Sequence, residues 1–274
     1  MGDVVIGGVR LSYEDHGSGD VVVLLGGSAM PGAAWQLSIA PALVEAGFRV
    51  VAPDARGVGR CDVPPPPYTL ADLTSDVAGL IEALNLQPCR VIGLSLGGFV
   101  AENLVWRRPD LVRAAVLVAC AGRPTAFVRA RIQAEQDLLQ VCQPLPASFD
   151  QVSVLTVAVP ASVLQHDDET VERWLSLLSG GVGQSADGRI GQVAAERDWV
   201  YDEARPSRWP ELTRPCLVVA FEHDLCFPPE RGHEAAASLP HGSFVEIAGV
   251  AHGNGAFDAS ETLGNVVLDF FAGA

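Results

Sequence analysis

The stretch Arg90-Val91-Ile92-Gly93-Leu94-Ser95-Leu96-Gly97-Gly98-Phe99 decides how the rest of the chain is read. Its first half, Arg90 to Leu94, suits a strand buried on both faces. Its second half opens a segment from Gly97 to Arg108 that suits a helix and ends before Pro109. Gly93 to Gly97 fits the pattern G-x-S-x-G, with Ser95 at the turn between strand and helix. Such a turn holds a hydroxyl in the open at the C-terminal edge of a sheet, beside a helix N-terminus that favours developing negative charge. The two glycines answer crowding, because a side chain at either place would meet the serine or the neighbouring helix. Ser95 is therefore the candidate nucleophile. The backbone N–H of Leu96, next in the chain, is a candidate donor to an oxyanion.

Working outward, the chain alternates strands with helices. Val4 to Ile6 and Val9 to Tyr13 flank Gly7-Gly8 and predict a β-hairpin. Val21 to Leu25, Phe48 to Pro53 and Val112 to Ala119 read as further strands. Ala33 to Ala46 and Thr69 to Leu84 read as the helices between them, with Thr69 as a cap. This rhythm implies right-handed crossovers and a mostly parallel sheet. It stops over residues 122–205, where the pattern is helical in pieces: Arg123 to Gln140, Ser148 to Gln165 and Asp167 to Leu178. It resumes with a strand at Cys216 to Phe221, a helix near Glu230 to Ser238, a strand at Ser243 to Ile247 and a helix at Ser260 to Phe271. The division expected is a sheet core from 1–121 and 206–274, with a helical lid or cap inserted at 122–205. Gly181-x-Gly183-x-x-Ala186 formally matches a dinucleotide fingerprint, but it follows no strand and reads as a turn.

A serine nucleophile needs a base, and the base needs an orienting carboxylate. Of six histidines, His252 lies just after the last strand, in a loop at the same sheet edge as Ser95. The others suit turns, helix surfaces or a helix start. Phe221-Glu222-His223-Asp224 closes the strand that begins at Cys216. Asp224 is the preferred acid there and Glu222 its rival. The loop after Leu25 reads Gly26-Gly27-Ser28 and can approach a substrate oxygen closely, so Gly27 and the N–H of Ser28 join Leu96 as the expected oxyanion hole, with the Ser28 hydroxyl as a further contributor. Phe127, Trp174 and Trp199, aromatic residues of the inserted segment, are expected to line a substrate pocket.

Composition narrows the chemistry. The 274 residues carry 33 acidic and 18 basic side chains, a formal net charge of −15, and all 18 basic residues are arginine. Without lysine there is no lysine Schiff base, no Walker-type phosphate loop and no kinase-type strand lysine. The acidic balance argues against nucleic acid and anionic membrane surfaces as partners. No apolar stretch approaches the roughly 18 residues that span a bilayer, and no signal peptide is apparent. The six scattered cysteines read as free thiols of a cytoplasmic protein, with no metal-ligand spacing among them.

Taken together, these landmarks resemble those of the α/β-hydrolase-fold superfamily. The chain order Ser95, Asp224, His252 is that of the family. Asp54-Ala55-Arg56-Gly57-Val58-Gly59-Arg60 resembles its D-x-R-G-x-G-x-S turn, with Cys61 in the serine place, and Arg108-Pro109-Asp110 follows the nucleophile helix as in family members. Where many members have His-Gly at the oxyanion loop, this chain has Gly26-Gly27. That is similar to a subset including the anthracycline methylesterases of actinomycetes, in which Asn stands at the place of Ser28. The resemblance implies a mostly parallel eight-stranded sheet flanked by helices, an inserted helical lid, and a cofactor-free serine hydrolase. Its expected substrate is a carboxylic ester, thioester or lactone of a hydrophobic small molecule, such as an intermediate of antibiotic biosynthesis. The same residues would serve an acid-eliminating lyase, an acyltransferase or a cofactor-free perhydrolase, or remain in a ligand-binding protein without turnover.

Overall fold

The computed structural model describes residues 1–179 and 184–273. Eight strands form one sheet: β1 (Gly2–Ile6), β2 (Val9–Gly17), β3 (Val21–Leu25), β4 (Arg49–Pro53), β5 (Cys89–Leu94), β6 (Val112–Val118), β7 (Cys216–Phe221) and β8 (Gly242–Ile247). Their spatial order is β1-β2-β4-β3-β5-β6-β7-β8. The first hairpin and the β2–β4 pair are antiparallel, and every pairing from β4 through β3 to β8 is parallel. The central strands are apolar on both faces because each face is covered. Alternate residues meet different helices. The helices are α1 (Ala40–Glu45), α2 (Leu70–Ala83), α3 (Leu96–Arg107), α4 (Ala126–Val141), α5 (Ala147–Ala158), α6 (Ala161–His166), α7 (Asp168–Ser179), α8 (Ala186–Val200), α9 (Arg205–Arg208), α10 (Pro229–Ser238), α11 (Asn254–Phe257) and α12 (Ser260–Gly273). Val22, Leu24 and Ile92 pack with Leu43 of α1 and Val267 of α12. Val23, Leu25 and Val91 pack with Leu80 of α2 and Leu104 of α3 on the opposite face.

Most boundaries match the sequence reading within a residue or two, and α2 starts in a capping box between Thr69 and Asp72. Other stretches differ by more. β2 runs past the expected Tyr13 to Gly17, where it pairs with β4, and α4 begins at Ala126 rather than Arg123. The helix expected over Ala33–Ala46 is a 3₁₀ segment, Gly32–Leu37, followed by the short α1. Pro41 sits in the first turn of α1, where it lacks an N–H and starts a helix rather than continuing one. The piece expected from Ser148 to Gln165 is two helices, because Pro160 caps α6 and ends α5 before it. Its β-branched run Val152–Val159 is nevertheless helical as far as Ala158. Finally, α8 is a separate helix beyond the three pieces that the sequence pattern marks. Gly181 and Gly183 of the fingerprint-like run lie outside the described residues, and Ala186 opens α8.

The inserted helices α4–α8 run between β6 and β7, and α9 with a 3₁₀ turn, Trp209–Glu211, carries the chain to β7. Arg205 anchors this return. Its guanidinium donates at 2.9 Å to both carboxylate oxygens of Glu102 on α3, donates to the carbonyl of Gly122, and stacks 3.7 Å from the Trp199 ring centre. All six cysteines are free thiols, and five of them are buried. No helix among the described residues is long and apolar enough to cross a membrane.

Candidate active site

Ser95 stands between the end of β5 and the start of α3 with φ +51° and ψ −119°. This is the left-handed side of backbone space, costing a non-glycine residue about 1–3 kcal/mol, so the surroundings must impose it. They do so by hydrogen bonds: Ser95 N donates to Val118 O on β6 at 3.0 Å, and Ser95 O accepts from Gly98 N at 2.8 Å. The flanking glycines are a matter of space. A Cβ on Gly93 would come 2.3 Å from the Gly97 carbonyl oxygen, and one on Gly97 would come 2.2 Å from that of Leu25. The crowding expected from sequence is thus real: Gly93 meets backbone at the start of α3, the neighbouring helix, whereas Gly97 meets backbone of β3 and the turn after it.

The loop after β8 brings His252 to Ser95. His252 Nε2 lies 3.0 Å from Ser95 Oγ, and His252 Nδ1 lies 2.8 Å from Asp224 Oδ2. A carboxylate only accepts, so Nδ1 carries the proton and Nε2 is left free to accept from the serine hydroxyl. Asp224 is itself fixed, since its Oδ1 accepts from Cys226 N at 2.7 Å and from Phe227 N at 2.9 Å. Glu222 is spent elsewhere. Its exposed carboxylate accepts from Gly249 N at 2.7 Å. Of the two acids left open by the sequence, Asp224 is the one joined to His252. Cys226 is close by, but burial pushes its thiol up to about 12, which leaves it protonated and a poor rival nucleophile.

On the other side of Ser95 lies the turn after β3. A Cβ on Gly27 would sit 3.4 Å from Ser95 Cβ, so the turn rests against the candidate nucleophile. Met30 N donates to Gly27 O at 3.1 Å and closes it. Contrary to the expectation from sequence, the Ser28 hydroxyl is not free to assist an oxyanion. It donates to the carboxyl of Glu196 on α8. Ala29 N donates to Gln192 Oε1, one helical turn earlier, at 2.8 Å. Neither Gln192 nor Glu196 was singled out from sequence. The only signal was their four-residue spacing on a helix whose glycines disguised it.

The aromatic residues expected at a pocket have other neighbours. Phe127 is 47% exposed on the first turn of α4, whose buried member is Val128. Trp174 packs with Leu155 and Val159 inside the inserted segment and donates from Nε1 to Asp258 at 3.2 Å. Trp199 is stacked on Phe99 at 3.9 Å between ring centres. It also walls a cavity of about 190 Å³ shared with Glu102 and Arg205, whose lining includes neither Ser95 nor His252. The aromatic side chain that does approach the relay is Phe227, with its ring centre 5.6 Å from that of His252.

An open serine on a strand–helix turn, relayed through histidine to a buried aspartate, is the site of α/β-hydrolase-type sheets. The family model described as "Alpha/beta hydrolase family" matches residues 22–263, and the chain belongs to that family. Among its relatives is BpoC of Mycobacterium tuberculosis, which carries the name of a non-heme bromoperoxidase. It is 32% identical over 264 residues, covering 96% of this chain and 98% of the relative. RutD of Variovorax paradoxus, named as a carbamate hydrolase, is 30% identical over 96% of each chain. The crystal structure of BpoC superposes with a TM-score of 0.87 over 98% of this chain and 97% of that one. An enol-lactonase from Burkholderia xenovorans shares the fold at a TM-score of 0.84 and 22% identity, over 99% of this chain and all of its own.

Proposed function

We propose that this chain is a serine hydrolase that cleaves a carboxylic ester, thioester or lactone of a hydrophobic small molecule through an acyl-enzyme. The observation that carries the reading is the unbroken relay Ser95–His252–Asp224, at 3.0 and 2.8 Å. Hydrolase names among the relatives support the reaction class. In the first step Ser95 Oγ attacks the carbonyl carbon while its proton passes to His252 Nε2. Asp224 holds the ring in the required tautomer and stabilises the imidazolium. The amides of Leu96 and Ser28, with Gly27 allowing close approach, receive the developing oxyanion. The bond from the carbonyl carbon to the leaving oxygen, or to sulfur in a thioester, breaks as His252 returns the proton to it. Water then attacks the acyl carbon by the same relay and frees Ser95. The helices of 122–205 act as the lid and exclude bulk water from this step. The chemistry calls on no metal and no cofactor.

A Ser95→Ala variant is expected to lower p-nitrophenyl ester turnover by about 10⁴-fold or more and to lose labelling by a fluorophosphonate probe. Turnover at the wild-type rate would refute the proposal. The name carried by BpoC favours one second reading, a cofactor-free perhydrolase in which hydrogen peroxide replaces water at the acyl-enzyme. Reaction in ¹⁸O-labelled water separates the two. Label in the released acid supports hydrolysis. Its absence, with peracid formed when peroxide is present, supports perhydrolysis.

A further inference from the structure

The inserted segment reaches the turn beside Ser95 through two side chains, and its own glycines let it come so close. A Cβ on Gly188 would meet the Gly57 carbonyl oxygen at 2.2 Å, and one on Gly191 would meet the Tyr68 ring at 2.3 Å. With no side chains there, α8 lies tight on the loop after β4. Gln192 and Glu196 are buried, 1% and 9% exposed. Gln192 Oε1 accepts from Ala29 N at 2.8 Å, and the Glu196 carboxyl accepts from the Ser28 hydroxyl. Ala29 has φ +60°, a conformation an alanine keeps only where its surroundings impose it.

We propose that Gln192 and Glu196 are positioning residues, a two-point clamp that holds the Gly27–Ala29 turn so that the Ser28 amide faces the carbonyl oxygen of a substrate on Ser95. The role in turnover rests on the serine-hydrolase reading; the holding of the turn does not. Below about pH 7 Glu196 suits the task, because it can accept from Ser28 without placing a full charge beside a developing oxyanion. Burial pushes its carboxyl up to about 7, Glu135 on α4 adds to the rise, and the Ser28 bond, Arg131 on α4 and His252 oppose it. Gln192 is neutral and cannot add a charge at all. A donor displaced by a fraction of an ångström loses most of its worth to a transition state, so loosening the turn should appear in kcat rather than in KM.

The test pairs hydrogen exchange over residues 26–31 with p-nitrophenyl butyrate kinetics in Gln192→Ala, Glu196→Ala, and the conservative Gln192→Glu and Glu196→Gln. Gln192→Ala is expected to speed exchange of the Ala29 amide by about tenfold or more. Both alanine variants should lower kcat by about tenfold or more, with KM within about threefold of wild type. Glu196→Gln keeps an acceptor for Ser28 and should recover kcat to within about threefold. If an alanine variant does not fold, the conservative pair decides: both must retain wild-type exchange over 26–31. Exchange unchanged in the alanine variants, or a loosened turn with wild-type kcat, overturns the clamp. A wild type that neither turns over the ester nor takes a fluorophosphonate overturns the hydrolase reading instead, while Ala29 exchange still decides whether the turn is held.

Discussion

Asp224 and Glu222 lie two residues apart at the end of β7, and hydrogen bonding gives them different work. Asp224 is buried and joined to His252, whereas Glu222 accepts from Gly249 in solvent. Asp224→Asn presents an amide that can donate to Nδ1 and so selects the wrong tautomer. Turnover should fall by about 10⁴-fold, while Glu222→Gln should stay within about threefold of wild type under the same steady-state assay. The reverse order of effects would reassign the acid. Glu196 carries a pH prediction of its own. Its folded carboxyl holds a proton up to about 7, whereas the unfolded one releases it near 4.5. Between those values the folded state binds more protons, so rising pH lowers stability, and above about 7 the whole cost is present. Glu196→Gln removes it. Thermal melts should find the variant more stable than wild type at pH 8, by up to about 2–3 kcal/mol, and nearly equal to it at pH 4.5. An equal difference at both pH values would mean that folding does not raise the proton affinity of Glu196.

At the scale of elements, what was legible in the chain depended on local chemistry. The strand before Ser95, the Thr69 cap and the Gly7-Gly8 hairpin announce themselves through apolar runs, capping residues and turn residues. The three residues of the relay were legible for a related reason, since each falls at a strand end on one sheet edge. The helix α8 was not. Gly188 and Gly191 lower its helical propensity, and their purpose is contact with Gly57 and Tyr68, more than a hundred positions earlier in the chain. Nothing local in the sequence tells an exposed Phe127 from a Trp199 stacked on Phe99. Arg205 is another element-level device that sequence conceals. It ties the returning end of the insertion to Glu102 on α3 and to Gly122 at its departing end. Removing it leaves a buried carboxylate without its partner. Arg205→Ala should cost about 3–5 kcal/mol in urea unfolding, and Arg205→Ala with Glu102→Gln should recover part of that loss. Additive losses in the double variant would deny the coupling.

For the molecule as a whole, the insertion grips both sides of the relay. Gln192 and Glu196 hold the turn after β3, and Ala158 at the end of α5 accepts from Gly253 N at 3.0 Å, next to His252. Arg173 and Trp174 of α7 both bind Asp258, between α11 and α12. A site so enclosed sits in the field of the whole chain, and that field is set by a net charge of −15 with arginine as its only permanent side-chain cation. Those arginines are largely committed: Arg49 to Asp15, Arg56 to Asp76, Arg189 to Glu135 and Asp150, Arg205 to Glu102. Within about a Debye length, a reach that added salt shortens, an approaching anion therefore meets net repulsion. A neutral ester does not. The pair to compare is a neutral aryl ester and the same ester bearing a remote carboxylate. For the anionic ester, kcat/KM should rise by about two- to fivefold between 10 mM and 300 mM sodium chloride, and for the neutral one it should stay flat. A fall with salt for the anionic ester would mean that a local arginine, rather than the global charge, governs its approach.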